Sequence, residues 1–521
     1  MILAACSGTK TTDNDTKGDD RKGNVEKKEL VFGRGGDSTS LDPATTTEGE
    51  AFKVTVNIFE TLINFGEQDT ELQPGLATEW ENSDDGLVYT FKLREGVKFH
   101  DGTDFNAEAV VYNFNRWKEG NKDVTGDDTP YPYYASQFGD NIVKVEATGE
   151  YEVTFTLQRP QAPFLKNLAM PPFAIASPAA LQKYGDKFNE NPVGTGPFKF
   201  VEWRRNDRIV IEKFADYWDP KYPILDRVTF VSIPDNSARL NALLAGDVDL
   251  IDGINYSDVP TIEADSDLKI FSRPSMNVGY VGLTVTRGPM QDKRVRQALN
   301  HAVNKEEIIQ AFYEGYAIPA KNPMPPVISG YNDNIVDYEF DLEKAKQLLT
   351  EAGYPDGFEM ELWAMPVPRP YMPDGQKVAE AIKANFEKIG VKAKIVSMEW
   401  GTYLERTAAG DADAFMLGWT GDNGDPDNFL YVLLDKDNIG TNNYTYYSND
   451  ELHEILIEAQ STPDEDKRAE LYKRAQEIIK EDAPWIPLVH SQPLLAGRKD
   501  IVNFLPHPTG SDLLHKVDFQ K

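Results

Sequence analysis

Three times in this chain a stripe of apolar residues at helical spacing runs into a glycine. Ala238, Leu240, Leu243 and Leu244 precede Gly246, and Val248, Leu250 and Ile251 then begin a strand. Ala345, Leu348, Leu349 and Ala352 precede Gly353, and Val378, Ile382, Phe386 and Ile389 precede Gly390 and a strand from Val391 to Val396. Each glycine stands where a left-handed residue ends a helix. Helices alternating with short strands in this way require mixed or parallel sheets covered by helices, so the expected fold class is α/β. No internal repeat of fixed period accompanies the pattern.

A single core stops growing at roughly 250 to 300 residues. The 521 residues here therefore imply two or three domains. Before the α/β units the grain differs. Leu87, Tyr89, Phe91 and Leu93 alternate as a half-buried strand, and Val153, Phe155 and Leu157 repeat the alternation after the Gly149-Glu150 turn. Residues 59–179 thus read as a β-rich subdomain. Ahead of it, Glu29 to Phe32 forms a strand, followed by Gly33, Gly35, Gly36, Asp37 and Ser38, a loop whose backbone a ligand could approach closely. Helix starts are expected at Asn304, with Glu307 completing a capping box, and at Pro463 in a first turn.

The formal charge of -31 repels nucleic acid and an anionic membrane leaflet, so neither is expected as a partner. The single cysteine, Cys6, excludes an internal disulfide and a thiolate-rich metal site. It follows Leu3, Ala4 and Ala5 and precedes a polar run, Ser7 to Lys28, suited to a flexible tether. The Leu-Ala-Ala-Cys stretch resembles a bacterial lipobox, which implies lipidation at Cys6, with residues 1–5 as a signal-peptide remnant. No later stretch reaches the roughly 18 to 20 apolar residues of a membrane span.

The usual catalytic and metal constellations fail. His453-Glu454 lacks the second histidine of a zinc-protease helix, since position 457 is Ile457. His100-Asp101 lies in a Phe-His-Asp-Gly turn, and no nucleophile elbow occurs in the chain. The acidic loop from Asp422 to Asp427 invites calcium, but Leu433 stands where an EF-hand needs glutamate, and the window from Asp435 to Tyr446 misses in the same way; an irregular calcium site stays open. Gly194-Thr195-Gly196-Pro197 lacks the lysine of a phosphate loop. No catalytic residue, metal site or cofactor is expected.

What remains is an acid and a base isolated among apolar neighbours. Asp422 follows Gly418-Trp419-Thr420-Gly421 after the buried-strand run Phe415, Met416 and Leu417, and Arg369 lies in the stiff segment Pro366-Val367-Pro368-Arg369-Pro370-Tyr371. Taken alone, an ordinary surface aspartate and arginine is the default. If both face one cleft, they could clamp the two ends of a zwitterion. Two residues span at most about 7 Å, so such a clamp would select a dipeptide by length.

Longer motifs add a resemblance. Leu76-Ala77-Thr78-Glu79-Trp80, Ser83 to Gly86, Tyr89-Thr90-Phe91 and Leu93 through Gly102 resemble the signature of the family 5 extracellular solute-binding proteins, components of peptide and nickel ABC importers. Asn191 to Phe198 and Arg294 to Ala298 extend the resemblance, which runs from about residue 29 to the C-terminus. The segment Gly418 to Phe429 is similar to the dipeptide-binding branch. That similarity implies Asp422 on the ligand's α-amino group, Arg369 on its carboxylate, Trp419 and Tyr371 lining the pocket, and the Gly33 to Ser38 loop, with Gly35 and Gly36, along the peptide backbone. Arg34 and Asp37 depart from the branch's glycine loop.

The resemblance also implies a two-lobed periplasmic-binding-protein-like (type II) fold. Its expected parts are a tether, 1–28; a lobe I core of 29–58, 180–274 and 490–521; the β-rich subdomain, 59–179; and lobe II, 275–489. Chain crossings are expected near Arg273 to Met276 and near Pro487 to Gln492. The expected function is capture of dipeptides, or tripeptides, for delivery to a membrane permease, by a monomer anchored through Cys6 on the extracellular or periplasmic side. The same fold with another cargo (haem, nickel, glutathione, an oligosaccharide or a signalling peptide) stays open, as does an unrecognised hydrolase.

Overall fold

The computed structural model describes residues 28–120 and 129–520. Cys6 and the tether residues before Lys28 lie outside them. Two sheets organise the chain into two lobes.

The lobe I sheet has seven strands, in the order Leu268–Ser272, Leu494–Arg498, Leu250–Ile251, Glu29–Arg34, Arg227–Ser232, Arg208–Lys213 and Phe198–Arg204. At its centre Glu29–Arg34 runs parallel to both Arg227–Ser232 and Leu250–Ile251. The lobe II sheet has six, in the order Ala317–Pro319, Trp485–Ser491, Asn277–Leu283, Ala414–Thr420, Glu359–Trp363 and Lys392–Val396. Here Glu359–Trp363 is parallel to Ala414–Thr420 and to Lys392–Val396. The chain crosses from the first sheet to the second between Ser272 and Asn277, and returns between Ser491 and Leu494.

Covered on both faces, the central lobe II strands Asn277–Leu283 and Trp485–Ser491 are buried at every residue. Their few polar members are paired, Asn277 Nδ2 donating to the Ser491 carbonyl at 2.9 Å. Trp485, 3% exposed, lies flat on Tyr280 with ring centroids 3.5 Å apart and planes at 5°. Trp485→Ala should destabilise lobe II by about 3–5 kcal/mol, read as a lowered midpoint in thermal denaturation.

The β-rich block is a four-stranded antiparallel sheet, Ala77–Asn82, Val88–Leu93, Glu152–Leu157 and Ile142–Gly149, in that order. The helix Ala107–Glu119 packs Val110, Phe114 and Trp117 against Phe91 and Phe155. The alternation read from the sequence holds from Tyr89 onward: Tyr89, Phe91, Leu93, Val153, Phe155 and Leu157 are buried, whereas Leu87 precedes the strand and is half-buried.

The three helices are present as Asn236–Ala245, Leu342–Glu351 and Gly375–Glu387, but in the first only Leu240 and Leu243 of the expected stripe are buried; Ala238 and Leu244 are exposed. At Asn304 the expected cap is present, its Oδ1 accepting the Glu307 N–H at 3.2 Å. Pro463 is a correction. The helix is Glu465–Asp482, capped by Asp464, whose Oδ1 accepts the Lys467 N–H at 2.9 Å. Pro463 lies one residue outside because Asp464 offers the carboxylate that a cap requires.

Candidate ligand-binding site

In open α/β sheets ligands bind beyond the carboxyl ends of the parallel strands. Asp422 and Arg369 both leave such ends, on adjacent strands of the lobe II sheet. Asp422 follows Ala414–Thr420, and Arg369 follows Glu359–Trp363, whose Trp363 is in register with Phe415.

One asparagine organises the Asp422 end. Asn428 Nδ2 donates to Asp422 Oδ2 at 3.2 Å, while Asn428 Oδ1 accepts both the Asp422 N–H at 3.0 Å and Trp419 Nε1 at 2.9 Å. The backbone, the indole and the carboxylate are thus fixed together. From the other side of the cleft, Tyr133 of the β-rich block lies beside Asp422: burial first, and then the Asp422 charge, raise its hydroxyl well above the usual tyrosine value. Tyr133 is itself braced edge-on by Phe52 of lobe I, with centroids 6.0 Å apart.

Among the described residues Asp422 forms no ion pair. Burial pushes its carboxyl up to about 6, against the pull of Asn428 and Tyr133. A carboxylate held this way is stabilised by a cation brought from outside.

The Arg369 end is built on two glycines. Gly279 and Gly418 face each other across neighbouring strands. A Cβ on Gly418 would overlap the Tyr371 ring, and one on Gly279 would overlap its carbonyl. The pair clears a furrow that Tyr371 fills, and the Tyr313 hydroxyl donates to the Tyr371 carbonyl at 2.8 Å. A tight turn follows, with Arg369 N–H donating to Met372 O at 3.0 Å and Met372 N–H returning to Arg369 O at 2.9 Å. Arg369 is exposed, and its guanidinium donates to the Pro368 carbonyl at 3.0 Å. No hydrogen bond or ion pair joins it to Asp422: the two groups share an edge of the sheet without neutralising each other.

The lobe I loop has a different character. Arg34, fully buried, donates to Ser38 Oγ at 3.0 Å and to the Glu50 carbonyl at 2.5 Å. Asp37 accepts Trp203 Nε1 at 3.0 Å and the Asn206 N–H at 2.8 Å. The two residues that depart from the branch pattern therefore anchor the loop. Gly35 and Gly36 are half-buried beside Glu50, with Arg239 also near Gly35, and no described bond joins them to Asp422 or Arg369.

The rejected chemistries stay structural. His100, which burial lowers to about 4, meets the Gly196 carbonyl at 2.9 Å, while Asp101 accepts from Ser177 Oγ at 2.6 Å. Within the acidic loop Asp425 pairs with Arg468, and Asp427 accepts from Gln460 at 3.0 Å. Tertiary contact does gather Asp435, Asp437 and His453 on lobe II, where His453 Nδ1 lies 3.1 Å from both Asp435 oxygens. An imidazole and a buried carboxylate satisfy each other there.

Sequence reasoning missed Asn428 and Tyr133. Asn428 was inside a quoted motif, six residues from Asp422, a spacing with meaning only once the intervening loop is folded. Tyr133 had no local signal, since it arrives from a different part of the chain.

The comparisons with known proteins agree with this architecture. A family model described as bacterial extracellular solute-binding proteins, family 5 Middle, matches residues 71–441. The chain belongs to that family. Its relatives include the dipeptide-binding protein of Escherichia coli, 38% identical over 95% of both chains. Heme-binding protein A of Haemophilus influenzae is also 38% identical, over 99% of this chain and 97% of its own. Among solved structures, the ABC transporter-associated periplasmic binding protein of Helicobacter pylori in complex with peptide STSA superposes with a TM-score of 0.86. It is 37% identical and covers 95% of this chain and 98% of that one. The fold is therefore the type II periplasmic-binding-protein fold, and this family 5 member is a transport binding protein rather than an enzyme. No helix among the described residues is long and apolar enough to cross a membrane.

Proposed function

We propose that this protein binds short peptides, dipeptides first, between its lobes and delivers them unchanged to the permease of an ABC importer. Asp422 takes the α-amino group and Arg369 the α-carboxylate, with Trp419 and Tyr371 as walls and the Gly35-Gly36 backbone along the peptide. The observation that carries this is the Asp422 carboxylate, positioned by Asn428 and Tyr133 and without a cation of its own among the described residues. Tyr133 joins the amino-end site. The peptide-binding relatives support the cargo class, and the four-residue ligand of the Helicobacter pylori protein keeps longer peptides in the test. A second reading, haem, is favoured by the Haemophilus influenzae relative.

We take 29–58, 180–274 and 490–521 as the lobe I core, 59–179 as its subdomain and 275–489 as lobe II, on the strand membership of the two sheets. A monomer tethered through a lipid on Cys6 completes the proposal.

The test is thermal unfolding of protein stripped by denaturation and refolding, with dipeptides, tetrapeptides, terminally blocked peptides and haem. A ligand at about 100 times its Kd should contribute roughly 2.7 kcal/mol. Stabilisation by dipeptides that disappears when either terminus is blocked supports the clamp. Stabilisation by haem alone overturns the peptide assignment.

Acidity supplies a further prediction. The amine needs an ionised Asp422, whose carboxyl sits at about 6 before a ligand arrives. Dipeptide affinity should accordingly be about tenfold weaker at pH 5 than at pH 7, as the ionised fraction falls. Calorimetric titration across that range measures it, and Asp422→Asn should abolish the dependence.

A further inference from the structure

A cluster that the cleft does not use lies at the far end of the helix Asp427–Leu434. Eight residues long, that helix carries the chain about 12 Å away from the Asp422 loop. Asp435 ends it, Asp437 follows in the short turn Lys436–Asn438, and His453 stands in the first part of the next helix, Asp450–Ser461. One ligand atom from each lies within 4.8 Å of the other two. His453 Nδ1 is 3.1 Å from both Asp435 oxygens and 3.9 Å from Asp437 Oδ2.

Two features distinguish this cluster from a patch of solvated acids. The Asp435 side chain is only 1% exposed, and no lysine or arginine among the described residues pairs with it or with Asp437. Lys436, between them in sequence, turns instead to Asp450 at 2.5 Å. A buried carboxylate without a fixed cation is costly. The donors are also held from behind. Asp435 Oδ1 accepts the Asp437 N–H at 2.9 Å, the Asp435 carbonyl accepts Asn443 Nδ2 at 3.0 Å, and the Tyr431 hydroxyl donates to Asp437 Oδ2 at 3.2 Å. Outer bonds of this kind orient the carboxylates of metal sites.

We propose that Asp435, Asp437 and His453 form a binding site for a divalent transition cation of the zinc class, separate from the interlobe cleft. Zinc holds nitrogen and oxygen donors at about 2.0–2.2 Å, which places tetrahedral neighbours about 3.3–3.5 Å apart. The separations of 3.1 and 3.9 Å close on such an ion with small side-chain shifts. Nδ1 gives its lone pair to the ion, and the imidazole proton resides on Nε2. A nitrogen donor disfavours calcium and magnesium, which take oxygen. Two carboxylates balance the dication, and three protein donors leave the fourth position to water. The ion joins the end of one helix to the start of the next, while Gln460 of that second helix holds Asp427 at the opposite end. It is a staple within lobe II that needs nothing in the cleft.

The test uses the full chain, stripped of metal by a chelator and returned to chelator-free buffer. Calorimetric titration should show one Zn2+ bound per chain, and zinc should raise the melting temperature where equal calcium or magnesium does not. Asp437→Asn and His453→Gln should each weaken zinc binding by about tenfold or more, whereas His301→Gln, outside the cluster, should not. Co2+ should give the visible d–d absorption of a four-coordinate site in wild type and lose it in His453→Gln. Melting in chelator checks that each variant is folded, and the half-exposed Asp437 gives a second reading should His453→Gln prove unstable. Wild-type zinc affinity in both variants means diffuse binding to an acidic surface and overturns the site. An equal shift with calcium overturns the nitrogen donor. Zinc affinity should be unchanged in Asp422→Asn; its loss there would put the ion in the cleft and overturn the placement.

Discussion

Asp422→Asn should cost dipeptide affinity about two to three orders of magnitude while leaving the melting temperature at or above that of wild type. The first half follows from removing one partner of a desolvated charge pair, which costs about 3–5 kcal/mol because the ligand's ammonium is then buried without a counter-charge. The second half follows from the carboxyl's raised position, about 6, at which burial opposes ionisation in the folded protein. A folded state that raises an acid's pKa binds more protons than the unfolded chain, so the contribution of Asp422 to stability declines as pH rises through that value. A neutral amide escapes the decline. It also keeps an oxygen for the Asn428 amide, so the loop retains its shape. Isothermal titration calorimetry with a free dipeptide and its N-acetylated form reads the result. Near-wild-type affinity would remove Asp422 from the site, and equal loss for both peptides would mean that it does not meet the amine.

The second large effect is on stability. Arg468→Ala should destabilise lobe II by about 3–5 kcal/mol, because it strands the Asp425 carboxylate in the interior. In the intact protein burial pushes Asp425 up, but the charge and hydrogen bonds of Arg468 overcome this and hold it below the usual carboxylate range. An acid lowered by folding contributes stability above its unfolded pKa and loses it as pH falls through the folded value. Wild-type lobe II should therefore weaken in strong acid through this pair, whereas Arg468→Ala should already be weak at neutral pH and recover somewhat as Asp425 takes a proton. Denaturant unfolding at pH 7, pH 5 and pH 3 tests both signs. Unchanged stability at pH 7 would show that water reaches Asp425 when the arginine is gone. Asp427 responds in the opposite direction: burial and the neighbouring Asp425 charge push it up to about 7.

These two substitutions act on one loop through different physics. Arg468 stiffens it from below through its fork onto Asp425, and Asp422 stands at its start. Arg468→Ala should therefore also blunt the distinction between free and N-blocked peptides, since a loosened loop presents its carboxylate less sharply.

The local grammar of the chain was enough to place several of its helices and the paired strands of the β-rich block. Apolar stripes at helical period, glycines after them, and the two alternating runs in residues 87–93 and 153–157 are properties of neighbouring residues, and burial of one face follows from them wherever the partner lies. The helix Glu465–Asp482 starts two residues later than Pro463 suggests, because proline and aspartate both signal a helix start and only the folded backbone chooses which side chain caps it. Asp422 and Arg369 could be singled out as charges among apolar neighbours, with the family resemblance assigning their roles. That they follow adjacent parallel strands was decided by sheet order, which pairs segments more than fifty residues apart. Tyr133 on Asp422, Asn167 on Asn423 and the Gly279–Gly418 furrow under Tyr371 have no trace in local sequence, because each joins segments whose meeting depends on how whole sheets and lobes pack. Periodicity is written along the chain; convergence across a cleft exists only after folding.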